Sequence, residues 1–351
     1  MKRMKLSELT GNEILAQSLM TWDYQIILPE GAVLKKEYID KIEEMGILEV
    51  CVEDQDESNE IIILKNDIEK TIKNKVKSIL ERHTYQNNKE LQGLTQAADE
   101  IISNILDEKE VVEKVFDIRE RSADIYEHSI SLCSMAILTA LRLNLEKQKI
   151  HDIGVGCLLH DIGLRYTTLD YEGKSMEDMS QAAMIEYKKH PVYGYSSVKD
   201  EEWISDTVKK IILCHHERLD GSGFPLRLKE AEIPFSCQIV SVCDVFDEMI
   251  CGIAQRRTRV YEAVEYLKGF KNVKYNGKIV DAFLSFTAVY PAGSHVLTSD
   301  GEEAIVISQN KDFQDRPVIR IIKDKNGKKL REEKVLDLVK VLNVYIEKGL
   351  E

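Results

Sequence analysis

The chain has 351 residues, 43% hydrophobic and 31% charged, which suits a globular protein of two or three domains with a sizeable core. Its net charge of −13 disfavours a surface that coats nucleic-acid polymers, because that binding displaces counterions with a basic face. A small anionic ligand stays compatible, since a metal cluster can supply local positive charge.

The basic start Met1-Lys2-Arg3-Met4-Lys5 has no apolar run behind it, and no stretch reaches membrane-spanning length, so neither a signal peptide nor membrane association is expected. Residues 1–58 read as a small β-rich module. Gln25 to Leu28 is strand-like, Pro29-Glu30-Gly31 is a turn signal, Lys36 to Met45 reads as a short helix, and Ile47 to Val52 as a strand after Gly46. The polar run Asp54 to Ser58 marks a boundary.

Residues 59–118 read as helical. Ile68, Ile72, Val76, Ile79 and Leu80 recur at helical spacing, as do Ile101, Ile102, Ile105, Leu106, Val111, Val112, Val115 and Phe116, with the polar stretch Tyr85 to Gln92 between them. Two connecting helices packed on a core fit this pattern. A dimerisation or signal-relay hairpin is the alternative, although no heptads are sustained. Residues 119–290 are a run of helices that carries most of the histidines. Residues 291–351 change character: Ser299-Asp300-Gly301 and Asn326-Gly327 are hairpin turn signals, flanked by the strand-like segments His295 to Thr298, Ala304 to Ile307 and Pro317 to Ile322. They predict a small antiparallel β module. The seven cysteines (Cys51, Cys133, Cys157, Cys214, Cys237, Cys243, Cys251) are scattered and lack a CxxC spacing, which predicts a reduced, cytoplasmic protein without a disulfide framework.

Five of the eight histidines form an ordered series: His128, His160, His190, His215 and His216. The longer intervals each hold about one helix and a connection, so each segment can return a ligand to one place. A lone histidine is more often a packed or surface residue; five in series with two apolar-embedded aspartates read as a metal set. Asp244 lies in the apolar run Ile239 to Phe246, mid-helix, with no Lys or Arg within four residues. Buried there unpaired it would cost several kcal/mol, a penalty a metal ion removes. Asp161 directly follows His160 in Leu158-Leu159-His160-Asp161-Ile162-Gly163. A carboxylate can bridge two metals, and a pair ~3.5–4 Å apart can clamp the attacking and leaving oxygens of a phosphoryl displacement. The mix of imidazole and carboxylate suits iron or manganese better than calcium or magnesium.

In His215-His216-Glu217-Arg218-Leu219-Asp220-Gly221-Ser222-Gly223-Phe224-Pro225, adjacent histidines on a helix would point about 100° apart. They can share a site only near a helix end, which the glycine-rich loop supplies. Gly221 and Gly223 allow positive φ and close backbone approach, here to a substrate. Glu217 is placed to orient a ligand histidine, with a surface ion pair to Arg218 as the alternative.

Taken together, these motifs resemble the HD-GYP family of the HD phosphohydrolase superfamily. The match runs over His160-Asp161-Ile162-Gly163, Lys189-His190-Pro191 with Gly194, the His215 to Pro225 element, and Cys243-Asp244-Val245-Phe246-Asp247. It spans roughly residues 119–270. The resemblance implies an all-α core whose two- or three-metal site hydrolyses cyclic di-GMP to the linear dinucleotide or GMP. Carried onto this chain, the ligands are His128, His160, Asp161, His190, His215, His216 and Asp244, with His160 and Asp161 at the catalytic centre.

The chain departs from the family pattern at three points. Leu164 stands where the family usually has a lysine near the scissile phosphate, with Arg165 beside it. Phe224 replaces the tyrosine of the GYP element. The ligand-gripping arginine run after Asp244 is replaced by Gly252-Ile253-Ala254-Gln255-Arg256-Arg257, which leaves Arg256 and Arg257 as the candidate phosphate clamp. Asp124, four residues before His128, shares its helical face and is open to two roles: a third-metal ligand, as in some members, or a helix cap.

The expectation is therefore a mainly α protein, an HD-type helical core with small β-rich modules at both ends. It would be a metal-dependent cyclic-dinucleotide phosphodiesterase with two or three first-row ions, iron or manganese. A homodimer or a signalling partner protein is compatible with it. The alternatives are a catalytically impaired sensor of the same fold and a phosphohydrolase for another nucleotide.

Overall fold

The computed structural model describes residues 2–6, 9, 11, 13–15, 19–20, 26–29, 31–44, 49–52, 61–86, 89–107, 114–119, 124–169 and 175–350. The chain divides into two compact units, Met1–Glu57 and Ser58–Glu351.

In the first unit, β1 (Lys2–Lys5) pairs antiparallel with β4 (Glu49–Val52), and β2 (Leu19–Met20) with β3 (Ile26–Leu28). Helix α1 (Lys36–Glu44) contributes Ile39 and Ile42, spaced three apart, to a small core with Leu6, Leu15, Leu34, Val50 and Val52. The expected strands and helix are present. β1 was not anticipated, because Lys-Arg-Met-Lys lacks apolar alternation and is held through its backbone pairing with β4. Gly46 and the polar run Asp54 to Ser58 lie outside the described residues.

The second unit opens with α2 (Asn66–Gln86) and α3 (Gly93–Asp107), whose Ile72, Val76, Ile79, Leu94, Ile101 and Ile105 enter the main core. The helical expectation fails at Val115 and Phe116. Residues 114–119 are not helical: the Phe116 N–H donates to Phe286 O, and its carbonyl accepts the Ala288 N–H. A short apolar run serves a buried helix or a strand equally well, and here the 286–288 backbone offered the partners. Val111 and Val112 lie outside the described residues.

The helical body continues with α4 (Ile125–Arg142), α5 (Lys147–Leu159), a 3₁₀ turn (Ile162–Tyr166), α6 (Gln181–Tyr187), α7 (His190–Val198), α8 (Asp206–Cys214), α9 (Phe235–Cys251), α10 (Val260–Gly269) and α11 (Gly277–Leu284). Helix α9 runs through the middle, buried at every position from Cys237 to Cys251, because it is apolar almost all round. Among the described residues, no helix is long and apolar enough to cross a membrane. Cys133, Cys157, Cys214, Cys237, Cys243 and Cys251 are buried, and none of these six is in a disulfide.

The C-terminal sheet is antiparallel, in the order β8 (Lys329–Asp337), β7 (Val318–Lys323), β6 (Glu303–Ser308), β5 (His295–Thr298), β9 (Ile346–Gly349). Gly301 and Gly327 take the positive φ that their hairpin turns require. The sequence reading missed β8 and β9. Both are edge strands, where charged residues are tolerated and discourage intermolecular pairing. Asp117 ties this sheet to the helices, accepting from the backbone N–H groups of Ile61 and Ala292 and from Gln309 Nε2.

Candidate metal centre

Helix ends deliver most of the histidines. His128 sits in the first turn of α4. His160 caps the C-terminus of α5, and Asp161 follows it into the 3₁₀ turn. His190 opens α7, with Pro191 in the first turn, where no amide partner is needed. His215 caps α8, so His216 already lies beyond the helix, and the two adjacent rings converge with centroids 4.2 Å apart. Asp244 comes from the middle of α9. All seven side chains are buried, Asp161 the most exposed at 6%.

Their hydrogen bonds fix how the rings face. His160 Nδ1 is 2.7 Å from Cys157 O, His190 Nδ1 is 2.7 Å from Tyr187 O, and His215 Nδ1 is 3.0 Å from Ile212 O. A carbonyl only accepts, so each Nδ1 carries a proton, and each Nε2 presents a lone pair whenever the ring is neutral. His128 Nδ1 likewise donates to Asp247 Oδ2 at 2.7 Å. These lone pairs then point at one another: His128 Nε2 is 3.1 Å from His160 Nε2, and His190 Nε2 is 3.2 Å from His215 Nε2. Asp161 lies between the two pairs. Its Oδ2 is 3.2 Å from His160 Nε2, and its Oδ1 is 3.2 Å from His190 Nε2. Asp161 Oδ1 and both oxygens of Asp244 are buried without an aligned hydrogen-bond partner. Acceptors facing acceptors in a dry site call for a cation, and this donor set fits divalent metal ions.

Electrostatics agree with that reading. Burial alone would raise the Asp161 carboxyl, but His160 and His190 outweigh it and hold the group well below the ordinary range. Burial raises Asp244 too, and His128, His160 and His215 more than compensate. Burial depresses His128, yet its bonds to Asp244 and Asp247 leave it well above its ordinary value; Asp161 and Asp244 do the same for His160. His215 is pushed down to about 3, and His216 also goes far down, by burial and by the neighbouring imidazoles. The metal-free protein therefore holds protons on His128 and His160 that a bound ion must displace. Adding Fe(II) or Mn(II) to metal-free protein in weak buffer at pH 6.5, the ordinary imidazole value, is expected to acidify the solution. Metal affinity should rise with pH through that region. Binding without proton release, read by a pH-indicator dye, would contradict the assignment.

The loop after His216 folds back on the site. A Cβ on Gly223 would meet His216 O, Glu217 Cα and Arg218 N, each at 2.5 Å, so glycine is needed for approach to the chain's own backbone. Gly223 has no positive φ; Gly221 does, at +80°. The turn brings the Phe224 ring onto His216, stacked with centroids 4.5 Å apart. Glu217 corrects both sequence readings. It is buried, and its carboxylate accepts the N–H groups of Leu226, Arg227 and Leu228 rather than a histidine N–H. Arg218 does not pair with it either: Nη1 donates to His215 O, Glu217 O and Ser241 Oγ. Glu217→Ala leaves three amides without an acceptor and is expected to cost about 2 kcal/mol in urea unfolding. An unchanged midpoint would contradict this role.

Asp124 takes the capping alternative. It accepts from the Tyr126 and Glu127 N–H groups and pairs with Lys73 at 2.7 Å, so its carboxylate is committed away from the histidines. Leu164 is 3% exposed, in an apolar cluster with Tyr187, Cys251, Ile253 and Ala254. Arg165 turns to Tyr126 OH. Arg256 and Arg257 are exposed and line an open cavity of about 750 Å³ with Arg259, Tyr261, Glu262 and Gly349, which includes none of the clustered histidines and aspartates.

Two acids beside the cluster were given no role in the sequence reading. Asp247 orients His128 and accepts from Ser131 Oγ, and Glu248 lies within reach of His216 and Asp244. The signal was available: three acids at i, i+3 and i+4 in an otherwise apolar helix share one face.

A family model described as an HD domain matches residues 111–279, and one described as a KOW domain associated with the HD domain matches residues 295–351. A cyclic di-GMP phosphodiesterase of Pseudomonas aeruginosa is 25% identical over 68% of this chain and 58% of its own length. A cyclic di-GMP phosphodiesterase response regulator of Xanthomonas campestris pv. campestris is 32% identical over 43% of this chain and 40% of its own length. The chain thus spans less than two thirds of these relatives. A solved HDG"Y"P protein from Bdellovibrio bacteriovorus shares the fold, with a TM-score of 0.55 at 19% identity, covering 80% of this chain and 97% of that one.

Proposed function

We propose that the chain is a member of the HD-GYP family and a metal-dependent phosphodiesterase that opens a cyclic dinucleotide, cyclic di-GMP first among them, to the linear dinucleotide or GMP; the HD-domain match over residues 111–279 supports this reading. The observation that carries the proposal is the meeting of the histidine Nε2 atoms beside Asp161 and Asp244, whose Oδ1 (Asp161) and Oδ1 and Oδ2 (Asp244) are buried without an aligned hydrogen-bond partner. His128, His160, Asp161 and Asp244 would hold one ion, and Asp161, His190, His215 and His216 another. Iron or manganese suits these ligands. When bound, such ions activate water and stabilise charge on a phosphodiester.

The chain's own groups position the rest. Asp247 holds the His128 ring, and Phe224 covers one face of His216. Lys188 stands 5.7 Å from the Phe224 ring centroid and supplies a cation near the site that Leu164 cannot. Arg256 and Arg257 are kept as the proposed phosphate clamp; the cavity they line shares no lining residue with the cluster. Residues 1–58, 59–118, 119–290 and 291–351 serve as N-terminal module, connecting helices, catalytic core and C-terminal module. Regulation would reach the core through these flanks, a partner protein or a homodimer.

Protein purified without oxygen and loaded with Fe(II) or Mn(II) is expected to convert cyclic di-GMP to linear dinucleotide or GMP, with products resolved by chromatography. The buried, apolar setting of Leu164 favours a second reading, a sensor that binds without turnover. Tight binding of cyclic di-GMP with no product from fully loaded protein would establish that reading instead. Turnover of a different cyclic dinucleotide would redirect the substrate.

A further inference from the structure

The cavity of about 750 Å³ beside Arg256 and Arg257 is walled by two different parts of the second unit: Tyr261 and Glu262 from the start of α10, and Gly349 and Leu350 from the end of the C-terminal sheet. A tight turn presents the arginines. Gly252 ends α9 with a φ of +82°, and a Cβ on it would lie 3.2 Å from Arg257 Cβ. The Thr258 N–H donates to Met249 O at 2.8 Å across the same turn. Gln255 Nε2 donates to Glu248 Oε2 at 3.2 Å, which ties the turn to the surroundings of His216 and Asp244. Arg256 and Arg257 are instead exposed, with no carboxylate partner among the described residues. Glu262, the acid among the lining residues, accepts the Arg259 N–H at 2.8 Å and so serves the start of its own helix. Two adjacent guanidiniums without a counter-charge suit a phosphate group, which they meet with paired hydrogen bonds. The sheet's share of the wall is close-fitted. A Cβ on Gly349 would lie 2.8 Å from Tyr261 Cε1, so the strand passes directly against the ring. Tyr290 stacks on that ring with centroids 5.9 Å apart, and the Leu350 N–H donates to His295 O at 2.7 Å, which holds the end of β9 on β5.

We infer that the C-terminal module completes a nucleotide-phosphate site: the end of β9 fixes Tyr261 as the wall against which Arg256 and Arg257 take the phosphate. The inference rests on the phosphodiesterase reading for the class of ligand, and it makes the module part of a ligand site. Two sources share this chemistry, the cyclic dinucleotide itself, through the phosphate not at the histidine cluster, and a separate nucleotide bound as an effector.

The test is calorimetric binding of a hydrolysis-resistant bis-phosphorothioate analogue of cyclic di-GMP to the full, Mn(II)-loaded chain. It is run beside metal content, KM and kcat for cyclic di-GMP. Arg257→Gln is expected to weaken binding about tenfold, and Gly349→Ala about threefold by displacing Tyr261, each with wild-type metal content. Leu342→Ala, on an exposed part of the same module, should bind as wild type. One analogue per chain with a raised KM in both variants assigns the phosphate to the substrate. Two per chain, one of them lost in both variants at unchanged KM, assigns it to an effector. Wild-type affinity and stoichiometry in Gly349→Ala overturn the inference, whatever Arg257→Gln does, because the module then has no part in the site. Wild type that hydrolyses cyclic di-GMP without the variants differing from it overturns the inference alone. Wild type that holds its ions but neither binds the analogue nor turns over cyclic di-GMP overturns the phosphodiesterase reading and the inference with it.

Discussion

Asp161→Ala is expected to abolish metal retention and the proposed cyclic di-GMP hydrolysis together. Asp161 alone, among the described residues, faces both histidine pairs: Oδ2 lies against His160 and His128, and Oδ1 against His190 and His215, at 3.2 to 4.0 Å. Removing it withdraws the shared anion from both groups and leaves four imidazoles crowded in a dry space. Bound ions contribute several kcal/mol of charge stabilisation to a phosphoryl displacement, so their loss should lower turnover by about a thousand-fold or more. Asp161→Asn keeps the shape and removes the charge, and should fall nearly as far. Metal content and product chromatography on the same preparations check both effects. Wild-type turnover in metal-depleted Asp161→Ala would end the metal-centre assignment.

Gly163→Ala is expected to be the most damaging single methyl group in the core. A Cβ there would sit 1.9 Å from the carbonyl oxygen of His190 and 2.7 Å from the amide nitrogen of Gly194. Both obstacles are backbone, so no side chain can swing aside. The 3₁₀ turn after Asp161 would have to separate from the start of α7, opening the 3.2 Å contact between Asp161 and His190. Overpacking of this kind costs about 3 kcal/mol, read as a lower urea midpoint at unchanged slope. Metal affinity should fall with it. Gly221→Ala is the control: its nearest new neighbour is 3.6 Å away, so only the positive φ of +80° is strained, at about 1 kcal/mol. If Gly163→Ala proved as mild as Gly221→Ala, close backbone approach would not be what requires glycine there.

The amino-acid sequence by itself determined the helical body, the two hairpins of the C-terminal sheet and the seven residues that meet at the centre. Periodicity reports which side of an element is buried, and Gly at a hairpin reports a backbone that only Gly adopts readily. Aspartate inside an apolar run, as at Asp244, has few solutions other than a cation. What the sequence could not supply is which groups arrive from other elements. Asp124 has the spacing of a ligand, but Lys73 on α2 and the open amides of its own helix claim it. Glu217 looked poised for a histidine, but the doubled-back loop put three backbone N–H groups in front of it. Phe116 carried an apolar pattern that the 286–288 backbone converted from helix to bridge. Glu248 stands beside His216 and Tyr187 only because the fold brings them from the end of α8 and from α6. Spacing along a chain fixes the direction of a side chain relative to its own helix. Only tertiary structure decides what stands opposite, and for a polar group in a dry interior that partner decides its role.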